Sequence, residues 1–210
     1  MKIREFQVGG CRVYLLPIIK GLKSETQSVK NAFDYSKPAK VAVSLSQEDL
    51  QGLRQMPEDY EPDLSRYDEI YADLLSKYGE VAAPPPAYVA AVELADHLGI
   101  PIVPVDLDEK SYTALYCAAV SGSTLFRHST RLWLLRLRRF GQPSPEEFVR
   151  AWDRTINNMR GFILIEEKRA KAMADGIVES AKGADRLLAI VEFERADEVW
   201  ELVGASVGKG

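Results

Sequence analysis

The stretch Tyr88-Val-Ala-Ala-Val-Glu-Leu-Ala-Asp-His-Leu-Gly-Ile-Pro-Ile-Val-Pro-Val-Asp-Leu-Asp-Glu109 decides the reading of this chain. Pro86 stands where it can open a helix, Tyr88 to Leu98 follow as the helix itself, and Gly99 occupies the position of a left-handed C-cap. Ile100 to Val105 is a continuous apolar run that predicts a strand, and it leads straight into the acidic loop Asp106-Leu-Asp-Glu109. Helix, glycine, strand and acidic loop in that order predict a βαβ unit with its polar groups at the carboxyl ends of the strands.

Upstream, residues 3 to 8 and 11 to 17 flank Gly9-Gly10, a pair that tolerates the positive φ of a tight turn, and predict a β-hairpin. A helical pattern from Ser24 to about Tyr35 is broken by Pro38, and Lys40-Val-Ala-Val-Ser-Leu45 reads as a short buried strand. Ser46 with Glu48 and Asp49 behind it has the form of a helix start. Pro57 to Asp63 reads as a surface loop, Arg66 to Tyr78 as a helix, and Ala82 to Ala87 as a stiff proline-rich connector. Downstream, Ser111 to Ser180 reads as helix with breaks near Gly122 and at Gly141 to Pro145; Arg186 to Phe193 is a last strand and Ala196 to Val203 a closing helix. The expected fold is one α/β domain over residues 1–210. It has a layered mixed sheet with flanking helices, the N-terminal hairpin, and a helical hairpin or bundle inserted at about 111–160 before the last strand.

Composition sets limits on function. With 46% hydrophobic and 28% charged residues the chain can bury a core, which excludes disorder. MKIREFQVGG carries charges where a secretion signal needs an apolar stretch, and no run is long enough to span a bilayer, so a cytoplasmic location is expected. Cys11 and Cys117 stand far apart and support neither a disulfide framework nor a thiolate metal site. A net charge of −4 opposes diffuse attraction to nucleic acid.

Three segments together resemble the TraB family, whose relatives include pheromone-shutdown proteins and metalloproteases related to Tiki. The first runs from Val13-Tyr-Leu-Leu16 through Ser24-Glu-Thr-Gln-Ser-Val29 to Val41-Ala-Val-Ser-Leu45. The second runs from Ala90-Ala-Val-Glu-Leu-Ala-Asp-His-Leu-Gly-Ile-Pro101 to Pro104-Val-Asp-Leu-Asp108, and the third from Lys168-Arg-Ala-Lys-Ala-Met-Ala174 to Leu187-Leu-Ala-Ile-Val191. They cover most of the chain except the middle helices. The resemblance implies a metal pocket built from two Gly-x-x-His motifs and acidic positions at strand ends.

This chain departs from the family at those polar positions. Pro17-Ile-Ile-Lys20 and Glu192-Phe-Glu-Arg195 stand where the two Gly-x-x-His motifs belong, so both imidazoles are replaced by cations. Ser44 replaces the acid of a Val-Glu-Leu strand end, while Ala87, Leu107 and Lys168 replace further polar residues. Ammonium and guanidinium groups have no lone pair to offer a metal ion, so metal-dependent hydrolysis by the family route is not expected and no catalytic residue, metal or cofactor is assigned. Lys20, Ser44, Asp106, Asp108, Arg169, Glu192 and Arg195 are expected to meet in the former metal pocket, with Glu194 beside them, forming internal ion pairs or a site for a small anionic ligand.

Asp106-Leu-Asp108 also resembles the metal-holding pair of sugar transferases, but such pairs at strand ends are more often solvated or helix-capping. His97 and His128 lack a partner at ligand spacing, so surface or capping roles are expected. From Arg127 to Phe140, Trp133, Leu137 and Phe140 recur at helical spacing, opposite Arg131, Arg136, Arg138 and Arg139. That predicts a basic amphipathic helix packed through Trp133, whose arginines face solvent or a partner. Three functions follow from the residues. The first is a non-catalytic TraB-like domain that binds a small ligand or a protein partner, or forms a homo-oligomer. The second is a hydrolase or peptidase with an oxygen-ligand metal site rebuilt from Asp106, Asp108 and Glu192. The third is a basic-helix module docking on membrane or nucleic acid.

Overall fold

Gly9 turns left-handed (φ 56°) and folds Arg4–Val8 (β1) antiparallel onto Cys11–Ile18 (β2). A computed structural model describes residues 3–57, 60, 62–135 and 140–207. After the hairpin come Glu25–Ser36 (α1), Lys40–Val43 (β3), Gln47–Gln55 (α2), Arg66–Leu75 (α3) with a 3-10 turn at Ser76–Tyr78, Pro86–Leu98 (α4) and Ile102–Pro104 (β4). Four helices follow, Glu109–Ala119 (α5), Gly122–Leu135 (α6), Pro145–Ile156 (α7) and Arg160–Ala181 (α8), before Arg186–Glu192 (β5) and Phe193–Val207 (α9).

The sheet runs β1-β2-β5-β3-β4, with β1 antiparallel to β2 and the other pairs parallel. The chain enters its last strand in the middle of the sheet, where Leu187 pairs with Val13 and Leu188 with Val41. Both faces of β5 are covered, which is why Leu187 to Val191 is apolar without alternation. Leu188 and Ile190 pack with α1 and α4 through Val29, Phe33, Tyr88 and Ala91. Leu187, Ala189 and Val191 pack on the opposite face against Met173, Ala174 and Ile177 of α8 and Val199 and Val203 of α9. The result is three layers, helix on sheet on helix. A further cluster of Ile19, Leu75, Leu135, Phe148 and Trp152 carries α3, α6 and α7 beyond the sheet's edge, so the inserted helices form a cap over that edge.

Local chemistry sets the boundaries. Ser46 and Asp49 form a reciprocal capping box at α2, Ser144 caps α7 ahead of Pro145, and Gly99 ends α4 with φ 65°. The expected strand 100–105 is shorter than its apolar run, because Pro101 and Pro104 lack the N–H that ladder pairing needs, and β4 survives as an edge strand. The α6 face also differs from expectation. Leu135 and the half-buried Leu132 pack inward, whereas Trp133 is 57% exposed. Arg136, Leu137, Arg138 and Arg139 lie outside the described residues. Among the described residues no helix is long and apolar enough to cross a membrane.

Candidate functional site

The carboxyl ends of β2, β3, β4 and β5 share one edge, and each delivers a polar group to it. Lys20 follows β2 by two residues, Ser44 follows β3 directly, Asp106 follows β4 by two, and Glu192 ends β5. Asp106 is held there by two hydrogen bonds that prolong the β3–β4 track, Val105 N–H to Val43 O at 2.9 Å and Asp106 N–H to Leu45 O at 3.1 Å. The crevice outside strand carboxyl ends is where open α/β sheets place ligands.

Arg169, from the middle of α8, is the hub. Its Nε reaches Asp106 Oδ2 at 3.0 Å, its Nη2 reaches the same oxygen at 2.5 Å and Glu192 Oε2 at 3.2 Å, and its Nη1 reaches Glu166 Oε2 at 3.0 Å. Burial alone would lower this guanidinium, but Glu192, Glu166 and Asp106 more than reverse that and hold it well above the ordinary arginine value. Glu192 is held below the usual carboxylate range despite its burial, because Arg169, Lys20 and Arg195 act on it together. For Asp106 and Glu166 burial wins instead, and both are pushed up.

Ser44 and Arg195 support this cluster from behind. The Ser44 hydroxyl accepts the Glu192 N–H at 3.2 Å and shares a 2.7 Å hydrogen bond with Tyr88 OH in the core. Arg195 is buried and ion-paired to Asp153, with Glu166 Oε2 3.4 Å from its Nε, though neither its Nε nor its Nη2 makes an aligned hydrogen bond. Asp108 is not part of the cluster. It turns away as the N-cap of α5, accepting the Ser111 N–H at 2.7 Å, because a short acidic side chain ahead of a helix satisfies an otherwise unpaired first-turn donor. The set Asp106, Asp108 and Glu192 is therefore not assembled as a metal centre. Among the described residues no three carboxylate, imidazole or thiolate groups are placed to hold an ion.

Between this edge and the cap lies a cleft of about 1370 Å³, onto which Lys20, Asp106, Glu166, Arg169, Glu192 and Glu194 open. Its far walls are aromatic. Trp152 of α7 donates its indole N–H to Tyr67 OH at 2.8 Å and lies 5.6 Å from the Tyr71 ring, and α5 adds Tyr112 and Tyr116. His128 of α6 also lines the cleft, 4.8 Å from the Phe162 ring, with its Nδ1 buried and without a hydrogen-bond partner; burial and then Arg131 push its pKa down. The expected surface role for His128 therefore gives way to a half-buried one.

Glu194 is the exception in this otherwise paired network. The residue is partly exposed at the cleft, yet its Oε2 has no accessible surface and no hydrogen-bond partner. Burial first, then the negative charge of Glu192, push its carboxyl up to about 8. Sequence reasoning placed Glu194 beside the pocket but missed Glu166, Asp153, Tyr67 and Tyr71. Only the three-residue step from Glu166 to Arg169 was a local signal for any of these, since it sets an acid and a base on one helix face.

No protein-family model matches the chain, and no match is found among curated proteins.

Proposed function

We propose that this domain is a binding module for a small organic ligand whose head group donates hydrogen bonds, an amine above all, and whose body lies on an aromatic wall. The carrying observation is the Glu194 Oε2 atom, a buried acceptor with no partner at the floor of a large cleft. Leaving such a group unpaired costs about 1–3 kcal/mol, which a ligand donor would recover once the Glu194 side chain turns that oxygen toward the cleft it lines. The charge balance supports the same class. Asp106, Asp153, Glu166 and Glu192 outnumber Arg169, Arg195 and Lys20 even while Glu194 keeps its proton, and Arg169 already holds three carboxylates. Among the described cations that open onto the cleft, Lys20 alone makes no ion pair, so an anion finds little free positive charge, whereas a cation meets excess carboxylate and the rings of Tyr67, Tyr71 and Trp152.

Hydrolysis is not part of the proposal, since Asp106, Glu166 and Glu192 are engaged by Arg169 and Glu194 is read as the acceptor for the ligand's head group. This is the behaviour expected of a TraB-like domain whose imidazoles have become Lys20 and Arg195, and the resemblance is retained on those terms. Titration calorimetry with phenethylamine and with phenylacetate tests it. The amine is expected to bind, to release a proton near pH 7 as Glu194 ionises against it, and to bind at least about tenfold more weakly to Glu194→Gln. Binding of phenylacetate in preference to the amine, or of neither, would sink the proposal.

A further inference from the structure

A second cavity, of about 620 Å³, lies on the cap and shares no lining residue with the cleft. It is walled by Thr124, Arg127 and Arg131 of α6, Asn158 and Arg160 at the approach to α8, and the apolar floor of Ala119, Met159 and Leu164. Among the described residues, three guanidinium groups and no carboxylate face it. Nor does α6 contain an acid anywhere along Gly122–Leu135, and the first turn of α8 has none.

The three arginines are not equivalent. Arg131 is fixed, donating from Nη1 to Thr155 O at 2.7 Å and to the Asn158 side chain, so one wall of the cavity is already ordered. Arg127 and Arg160 are exposed, and among the described residues neither has an ion pair or a hydrogen bond from its side chain. The floor is equally well defined. A Cβ at Gly161 would lie 2.3 Å from Ala119 O, so only glycine lets the first turn of α8 close against the end of α5. That helix is 22 residues long and its N-cap, Met159, supplies no side-chain acceptor, so the donors of its first turn add to the arginine field.

We propose that this cavity is a binding site for a phosphoryl group, held by the forks of Arg127 and Arg160 against the fixed Arg131 and Asn158. Guanidinium forks match phosphate oxygens in pairs, and a multiply charged oxyanion offsets three cations where a carboxylate offsets one. The apolar floor accepts the carbon skeleton next to the phosphoryl. That skeleton belongs either to a free phosphorylated small molecule or to a phospholipid head with its acyl region turned toward the exposed Leu125, Phe126 and Ile163 nearby.

The test has two arms on the intact chain. Calorimetric titration with pyrophosphate, at ionic strength matched by chloride, reads the free ligand; flotation with phosphatidylcholine vesicles, with and without phosphatidic acid, reads the lipid head. Saturable pyrophosphate binding, or flotation only with phosphatidic acid, is expected. Either should weaken roughly tenfold or more in Arg127→Ala and in Arg160→Ala, and less in Arg160→Lys. Both side chains are unpartnered, so the melting temperature of each variant in phosphate-free buffer should match the parent and exclude misfolding. Absence of both signals overturns the site, as does binding that survives both alanine variants. Because these arginines lie outside the cleft, the phenethylamine response should be unchanged in them.

Discussion

At the scale of single residues the molecule is organised around compensation of buried charge, and Glu194 is where compensation stops. The groups facing it are Glu192 from β5, Arg195 on its own helix and Asp153 from α7, with Tyr67 and Tyr71 of α3 across the cleft. Burial raises both tyrosines well above the ordinary phenol value, so they stay neutral and supply no counter-charge. The consequence for stability has a definite sign. An unfolded glutamate ionises near 4.5, whereas folded Glu194 keeps its proton to about 8, so between those values the folded state binds the extra proton. Glu194 therefore makes stability fall as pH rises from about 4.5 to about 8. Glu192, held low, acts in the opposite direction below its ordinary value. Glu194→Gln removes the first effect alone. Urea midpoints measured from pH 5 to pH 8 should show the variant gaining on the parent steadily as pH increases. A constant offset between the two would mean that Glu194 ionises normally and that the cleft floor is wetter than described.

At the scale of elements, α8 packs closely on the sheet. A Cβ at Gly176 would lie 2.8 Å from both Cβ and Cγ1 of Val105 and 3.3 Å from its Cα, so α8 passes over the end of β4 at a distance that only glycine allows. Gly52, mid-helix on the exposed side of α2, meets nothing within 4 Å. The same substitution should thus change sign with position. Gly176→Ala is expected to destabilise by about 1–3 kcal/mol through overpacking, and Gly52→Ala to stabilise by up to about 1 kcal/mol through helix propensity. Chemical denaturation of the two variants decides it, and equal effects would contradict the described α8 position.

What could be read in advance follows the same division between local and distant causes. The hairpin, α4 with its Gly99 cap, and β5 were legible because each pattern is local, contained within a single short run of chain. That Lys20, Asp106 and Glu192 share one edge was legible because each stands at or just beyond a strand's carboxyl end. The face of α6 was not, since Leu132, Trp133, Leu134 and Leu135 are consecutive and apolar, and only the cap cluster selects Leu132 and Leu135 from among them. Tyr67 and Tyr71 reach the cleft from α3 and Asp153 from α7, two helices whose own sequences show ordinary amphipathic spacing.

At the scale of the whole molecule, burial is unevenly shared between sheet and cap. From Leu187 to Glu192, β5 is buried at every position, while α5 has no buried residue and α6 has only Leu135. Free energy of local opening scales with the apolar surface an element loses from water, so α5 and α6 lie at the low end and the central strands at the high end. Both helices also carry cleft residues, Tyr112 and Tyr116 on α5 and His128 on α6, so opening the cap exposes the cleft. Binding there must then stabilise the closed cap by mass action. Native-state hydrogen exchange should find α5 and α6 amides exchanging through openings well below the global unfolding free energy, with β5 and β2 near it. Saturating phenethylamine should slow exchange in α5 and α6 while leaving β5 unchanged. If α5 exchanged as slowly as β5 in the free protein, the cap would be integral to the core and access to the cleft would need another route.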